Sequence, residues 1–141
     1  MKTIRSACTL QPNALEINVG DQIEKLDEII SNTDGKEYFN KTFITEGMKT
    51  MLTRGMARLA GKSNDSIFHL KQAMGGGKTH LMVGFGLLAK DATLRSALIG
   101  EIPHQNGFAT AKIAAFNGRN NPHTYFWGEI ARQLGKEALF K

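Results

Sequence analysis

The chain has 141 residues, of which 41% are hydrophobic and 22% charged, and this composition is typical of a globular protein with its own core. No stretch approaches the roughly 18 uninterrupted apolar residues of a membrane span, and residues 1–6 lead into no hydrophobic signal region, so we expect a cytoplasmic protein without a membrane segment. Cys8 is the sole cysteine, which excludes an internal disulfide and suits a reducing cytosol.

The net charge of +5 is distributed in blocks of opposite sign. Residues 21–37 are predominantly acidic, whereas residues 41–62 carry five basic side chains against Glu46. A basic segment of this kind either contacts nucleic acid or pairs with a neighbouring acidic block. The sequence leaves both alternatives open, and DNA is therefore one expected partner.

The first 62 residues predict an N-terminal helical segment. Asp21 and Glu24 fit a capping box, and an apolar stripe at helical spacing predicts a helix that ends between Asn32 and Gly35. A second helix is predicted over residues 42–60, with Gly61 as its C-cap.

Residues 63–141 predict the first part of a nucleotide-binding domain. Residues 66–70 are rich in apolar and β-favouring side chains and predict a buried strand, and residues 78–90 predict a helix that is apolar on nearly every face. A short helix over residues 91–99 and a second strand over residues 111–116 follow. A last helix is predicted with Asn121 as its N-cap and Pro122 at its first position. Trp127 falls partly off the apolar stripe of the last helix and is predicted to contact either a partner or the missing part of the domain.

Three glycines directly precede a Lys-Thr pair in the string Gln-Ala-Met-Gly-Gly-Gly-Lys-Thr, residues 72–79. Glycines let successive backbone N–H groups turn toward phosphate oxygens, a lysine adds a mobile positive charge, and a threonine hydroxyl can ligate Mg²⁺. The predicted nucleotide-binding residues are Met74, Gly75, Gly76, Gly77, Lys78, Thr79 and His80. Lys78 is the predicted catalytic residue, Thr79 the metal ligand, and ATP with Mg²⁺ the expected cofactor pair.

This string resembles the phosphate-binding loop of P-loop NTPases, G-x-x-x-x-G-K-[ST], with Gln72 in place of its first glycine. The resemblance implies an α/β fold in which a parallel sheet is flanked by helices. Hydrolysis would also need an acidic residue at the end of a later strand. Residues 111–116 end in Asn117-Gly118 instead, so we expect an incomplete domain that, alone, binds nucleotide weakly or not at all and does not hydrolyse it.

Residues 43–49, 72–80 and 127–135 together resemble the start of a group of bacterial predicted ATPases that are similar to AAA+ proteins. Members are often encoded beside DNA methyltransferase or helicase genes in phage-defence settings. The resemblance implies ATP hydrolysis in a DNA-linked process, with DNA or DNA-modifying proteins as partners. For a full-length protein we also expect a homo-oligomer.

Two other functions fit the same residues. The first is a small-molecule kinase fragment, for which the isolated Arg119 gives little support. The second is a noncatalytic module in which the glycine-rich loop is a relic and the aromatic and basic faces bind protein or nucleic acid.

Overall fold

The computed structural model describes residues 26–71, 73, 75–98, 107–118 and 122–140. This part of the chain forms six α-helices and a short 3₁₀ helix. The α-helices are α1 (Leu26–Asn32), α2 (Gly35–Asn40), α3 (Glu46–Leu59), α4 (Lys78–Lys90), α5 (Ala92–Ala97) and α6 (Phe126–Gln133), and the 3₁₀ helix is Glu137–Phe140.

The predicted α/β fold with a parallel sheet is wrong, because the described residues contain helices and no strand. Residues 66–70 and 111–116, predicted as strands, are both irregular. A strand is stabilised by pairing with a neighbouring strand, and β-favouring side chains cannot supply that neighbour. Ile67 accordingly lies 88% exposed. At Ala115 the side-chain amide of Gln133, at the end of α6, takes the place of a strand partner. It accepts from the Ala115 N–H and donates to the Ala115 carbonyl, both at 2.8 Å.

Helix α4 forms the centre of the fold and contacts α1, α2, α3 and α5. This helix begins and ends where the apolar pattern predicts, and its burial is confirmed on the faces that carry Val83, Leu87 and Leu88. Gly84 and Gly86 let neighbours approach closely, since a Cβ at Gly86 would stand 2.7 Å from Ile30 Cδ1. The core is completed by Leu26, Ile30, Phe39, Met48, Leu52, Met56, Ala89 and Leu94.

Side-chain caps determine where several helices begin. At the start of α2, the Asp34 side chain accepts from the Glu37 N–H, and at the start of α3 the Thr45 side chain accepts from the Met48 N–H. At the start of α5, the Asp91 side chain accepts from the N–H groups of Thr93 and Leu94. The second predicted helix therefore begins at Glu46, four residues later than expected. The C-terminal helix begins at Phe126 rather than at Pro122, which lies in a turn.

Arg95 closes the C-terminal end of α4. Its side chain is 1% exposed, and its guanidinium donates to the carbonyls of Leu88 (2.6 Å), Phe108 (2.7 Å) and Ala109 (2.7 Å). The last carbonyls of a helix have no intrahelical donor, so the bond to the Leu88 carbonyl satisfies a group that would otherwise be buried without a partner. The bonds to Phe108 and Ala109 tie the segment after α5 to the end of α4. Burial lowers the pKa of Arg95, and the Asp91 carboxylate opposes that shift.

None of the described helices is both long enough and apolar enough to cross a bilayer.

Candidate phosphate-binding site

The glycine-rich loop leads directly into the central helix. Gly75 and Gly77 have φ angles of 78° and 76°, in the left-handed region that side chains other than glycine rarely adopt. A Cβ at either position would meet nothing within 4 Å, so the backbone conformation and not crowding requires glycine there. The Gly76 N–H donates to the Ala73 carbonyl at 3.2 Å and closes the turn.

Helix α4 starts without a capping side chain. Its N-cap is Gly77, and no side-chain hydrogen bond caps the helix among the described residues. Its first helical hydrogen bond runs from the Leu81 N–H to the Gly77 carbonyl at 2.9 Å. The amides of Thr79 and His80 lie in the first turn, where no intrahelical acceptor exists. They carry the positive end of the helix dipole and suit an anion.

Lys78 lies across the loop. Its Nζ donates to the Ala73 carbonyl at 2.8 Å, which places the ammonium group over the turn formed by the glycines. Thr79, the predicted magnesium ligand, is exposed in the same turn. The structure thus brings together Gly75 to His80, whereas Met74 lies outside the described residues.

Helix α2 holds the first turn of α4 through a network that the sequence did not predict. The Tyr38 hydroxyl donates to the His80 carbonyl at 2.5 Å, and the two rings stack with centroids 4.6 Å apart. Thr42 donates its hydroxyl hydrogen to the Tyr38 carbonyl at 2.7 Å, so its oxygen accepts from His80 Nε2 at 3.0 Å. Burial raises the pKa of Tyr38 to about 12, against hydrogen bonds that lower it.

This assignment makes His80 Nε2 a proton donor. Tyr38 lies in α2, whereas Thr42 lies two residues after the end of that helix, and no motif in the sequence links either residue to His80. The carbonyl and the ring of His80 are thus both held by residues from in and just after α2.

A cleft of about 390 Å³ opens beside the loop. We call it the loop-side cleft; it is lined by Phe43, Thr45, Gly47, Met48, Met51, His69, Leu70, Lys71, Gly76, Gly77, His80 and Leu81. Its large apolar side chains are those of Phe43, Met48, Met51, Leu70 and Leu81. The Phe43 ring stands at the rim and is 87% exposed.

The described residues contain no group of three or more histidine, cysteine, aspartate or glutamate side chains that could hold a metal ion. Of the described loop residues, Thr79 could offer a hydroxyl to a magnesium ion that is also held by phosphate oxygens of a ligand. The residues present fit polyphosphate binding, and the acidic group needed for hydrolysis stays a prediction about other residues.

Several basic side chains of residues 41–62 are used within the chain. Arg54 pairs with Asp65 at 2.8 Å and lies over the Phe68 ring at 5.5 Å. Arg58 donates to the Ser63 carbonyl at 3.1 Å, and Lys41 pairs with Glu37. The two ion pairs offset part of the positive charge of this segment.

The family model of the DUF499 N-terminal domain matches residues 11–100, well over half of the chain. The chain belongs to the DUF499 family. This is a family of unknown function, and its match shows no link to ATP hydrolysis or to defence. The DUF499 match includes the glycine-rich loop and helix α4, and it ends before residues 111–116 and α6. Neither a curated protein nor a solved structure matches the chain.

Proposed function

We propose that this chain binds the polyphosphate of a nucleoside triphosphate, ATP with Mg²⁺, at the loop before α4. The observation that carries the proposal is the left-handed Gly77, which ends the loop and opens a helix whose first turn has no side-chain cap. Three other helices have an aspartate or threonine cap at this point. An uncapped, dipole-aligned turn next to a lysine suits a bound anion.

Each residue has a distinct part in this binding. The loop and first-turn amides, Gly76 to His80, would hold phosphate oxygens. Lys78 would exchange its bond to the Ala73 carbonyl for charge-assisted bonds to the phosphates, which are roughly twice as strong as neutral ones. Thr79 would place its hydroxyl on Mg²⁺.

Isothermal titration of the chain with ATP in the presence of Mg²⁺ tests the proposal. Replacing Lys78 with Ala removes charge-assisted hydrogen bonds worth about 1.5–3 kcal/mol, so affinity should fall roughly 10- to 100-fold. Lys90→Ala is the matched control, because Lys90 is an exposed lysine at the other end of the same helix, about 20 Å away. No binding by the unaltered chain, or equal losses in both variants, would refute the proposal.

The more specific proposal is that a protein containing this chain is an AAA+-like ATPase acting in a DNA-linked or defence process. Its support is the resemblance of residues 43–49, 72–80 and 127–135, together with the net charge of +5. Phosphate release from ATP in the presence and absence of DNA tests it. DNA binding through lysine and arginine should weaken steeply as salt is raised from about 50 to 200 mM.

A further inference from the structure

We infer that the loop-side cleft receives the base and sugar of the nucleotide, with the Phe43 ring stacked on the base. The inference rests on the proposed function, because it needs the phosphates to lie at the loop. Gly76 and Gly77 line the cleft together with Met48 and Met51 of α3, so a ligand anchored at the loop by its phosphates lies beside the α3 residues of the cleft.

The lining of the cleft suits the two parts of a nucleotide. Gly76 and Gly77 line it beside the apolar side chains of Met51, Leu70 and Leu81, and His69 and Lys71 are among its polar members. Loop amides suit the phosphates, and neighbouring apolar side chains suit a base. The cleft volume of about 390 Å³ lies within the usual range of roughly 300–1,000 Å³ for small-molecule sites.

Phe43 is placed to contact a planar ring. A large aromatic side chain that is 87% exposed leaves most of its apolar surface in water, and a stacked base would cover it. Neighbouring Thr45 caps α3 by accepting from the Met48 N–H at 3.2 Å. Because this hydroxyl acts as an acceptor there, its hydrogen is available for a nitrogen or oxygen on the edge of a base.

Comparing ATP with inorganic tripolyphosphate separates the cleft from the loop. Both ligands, each with Mg²⁺, are titrated into the 141-residue chain and its variants. The unaltered chain should bind ATP more tightly than tripolyphosphate, because only ATP fills the cleft. Phe43→Ala should lower the affinity for ATP roughly 5- to 100-fold, the usual effect of removing one stacking ring, while the affinity for tripolyphosphate changes less than twofold.

Ile67→Ala is the control, since Ile67 is 88% exposed and does not line the cleft. It should change the affinity for neither ligand. Both side chains lie at the surface, so neither variant should alter the thermal unfolding curve followed by circular dichroism.

The outcomes distinguish the two proposals. Equal affinity of the unaltered chain for ATP and tripolyphosphate, or equal losses of both in Phe43→Ala, would overturn the base site and leave the phosphate site standing. Failure of the unaltered chain to bind either ligand would overturn both.

Discussion

Replacing Arg95 with Met should destabilise the fold more than any surface change, because this side chain is the polar centre of the packing around α4. Its guanidinium lies 4.0 Å from the centroid of the Phe108 ring and donates to carbonyls from two segments. Met fills a similar volume and leaves these acceptors without their donor. The neighbouring carbonyls of Ala89 and Lys90 keep other donors, the Ala111 N–H and the Thr110 hydroxyl.

The expected magnitude follows from the partner that is lost. The Leu88 carbonyl belongs to a fully buried residue, and leaving it unsatisfied costs about 1–3 kcal/mol. The cation–π contact contributes about 1–2 kcal/mol more when it is desolvated. Phe108 and Ala109 are more exposed, so water can replace the donor at their carbonyls. Arg95→Met should therefore lower the free energy of unfolding by about 3 kcal/mol.

Urea unfolding followed by circular dichroism at 222 nm measures this loss. Arg132→Ala is the control, because Arg132 pairs with Glu129 on the surface of α6 and such pairs contribute less than about 1 kcal/mol. A loss of less than about 1 kcal/mol in Arg95→Met would mean that the C-terminal end of α4 is not held as we describe.

Three further predictions concern α3, α2 and the loop. Gly47→Ala should stabilise the fold by about 0.5–1 kcal/mol in urea unfolding, because a Cβ at this position meets nothing within 4 Å. Gly55→Ala should destabilise the fold by about 1–3 kcal/mol, because a Cβ there would stand 2.2 Å from Phe85. Equal effects of the two variants would contradict the helix packing. The pKa of Tyr38 is raised above its ordinary value of 10.0 to about 12, so the folded state holds the hydroxyl proton more tightly than the unfolded state does. The free energy of unfolding should therefore fall as pH rises from about 10 to 12, and Tyr38→Phe should remove that part of the fall in urea titrations. A pH profile that Tyr38→Phe leaves unchanged would argue against this contact. Gly77→Ala should weaken Mg²⁺-ATP binding, because the left-handed φ at this position costs alanine about 1–2 kcal/mol. Relaxing that strain would turn the loop amides away from the bound phosphates. Unchanged affinity by isothermal titration would contradict this.

The sequence predicted helix α4 and the loop before it because local signals determine both. An apolar pattern on nearly every face requires a buried helix, and three glycines before Lys-Thr permit the left-handed turn at Gly77. The start of α5 was also predictable, since Asp91 is a good N-cap. Helix α2 was missed, although Asp34 and Glu37 form a capping-box pattern that could have revealed it.

The sequence could not predict what depends on distant partners. Residues 66–70 and 111–116 have strand-like composition, but a strand requires a neighbour in register, and in the described structure a Gln133 side chain bonds Ala115 instead. The contact of Tyr38 with His80 joins residues 42 positions apart, and no periodicity reports such a pair. The same holds for the bonds from Arg95 to residues 108 and 109.

The most direct test of the phosphate site is a nuclear magnetic resonance titration of the ¹⁵N-labelled chain with Mg²⁺-tripolyphosphate. Tripolyphosphate carries no base, so it reports on the loop alone. The account predicts that the largest amide shifts fall on residues 75–80, with little change along residues 41–62. Shifts concentrated on the basic segment instead, or none on the loop at saturating ligand, would contradict it.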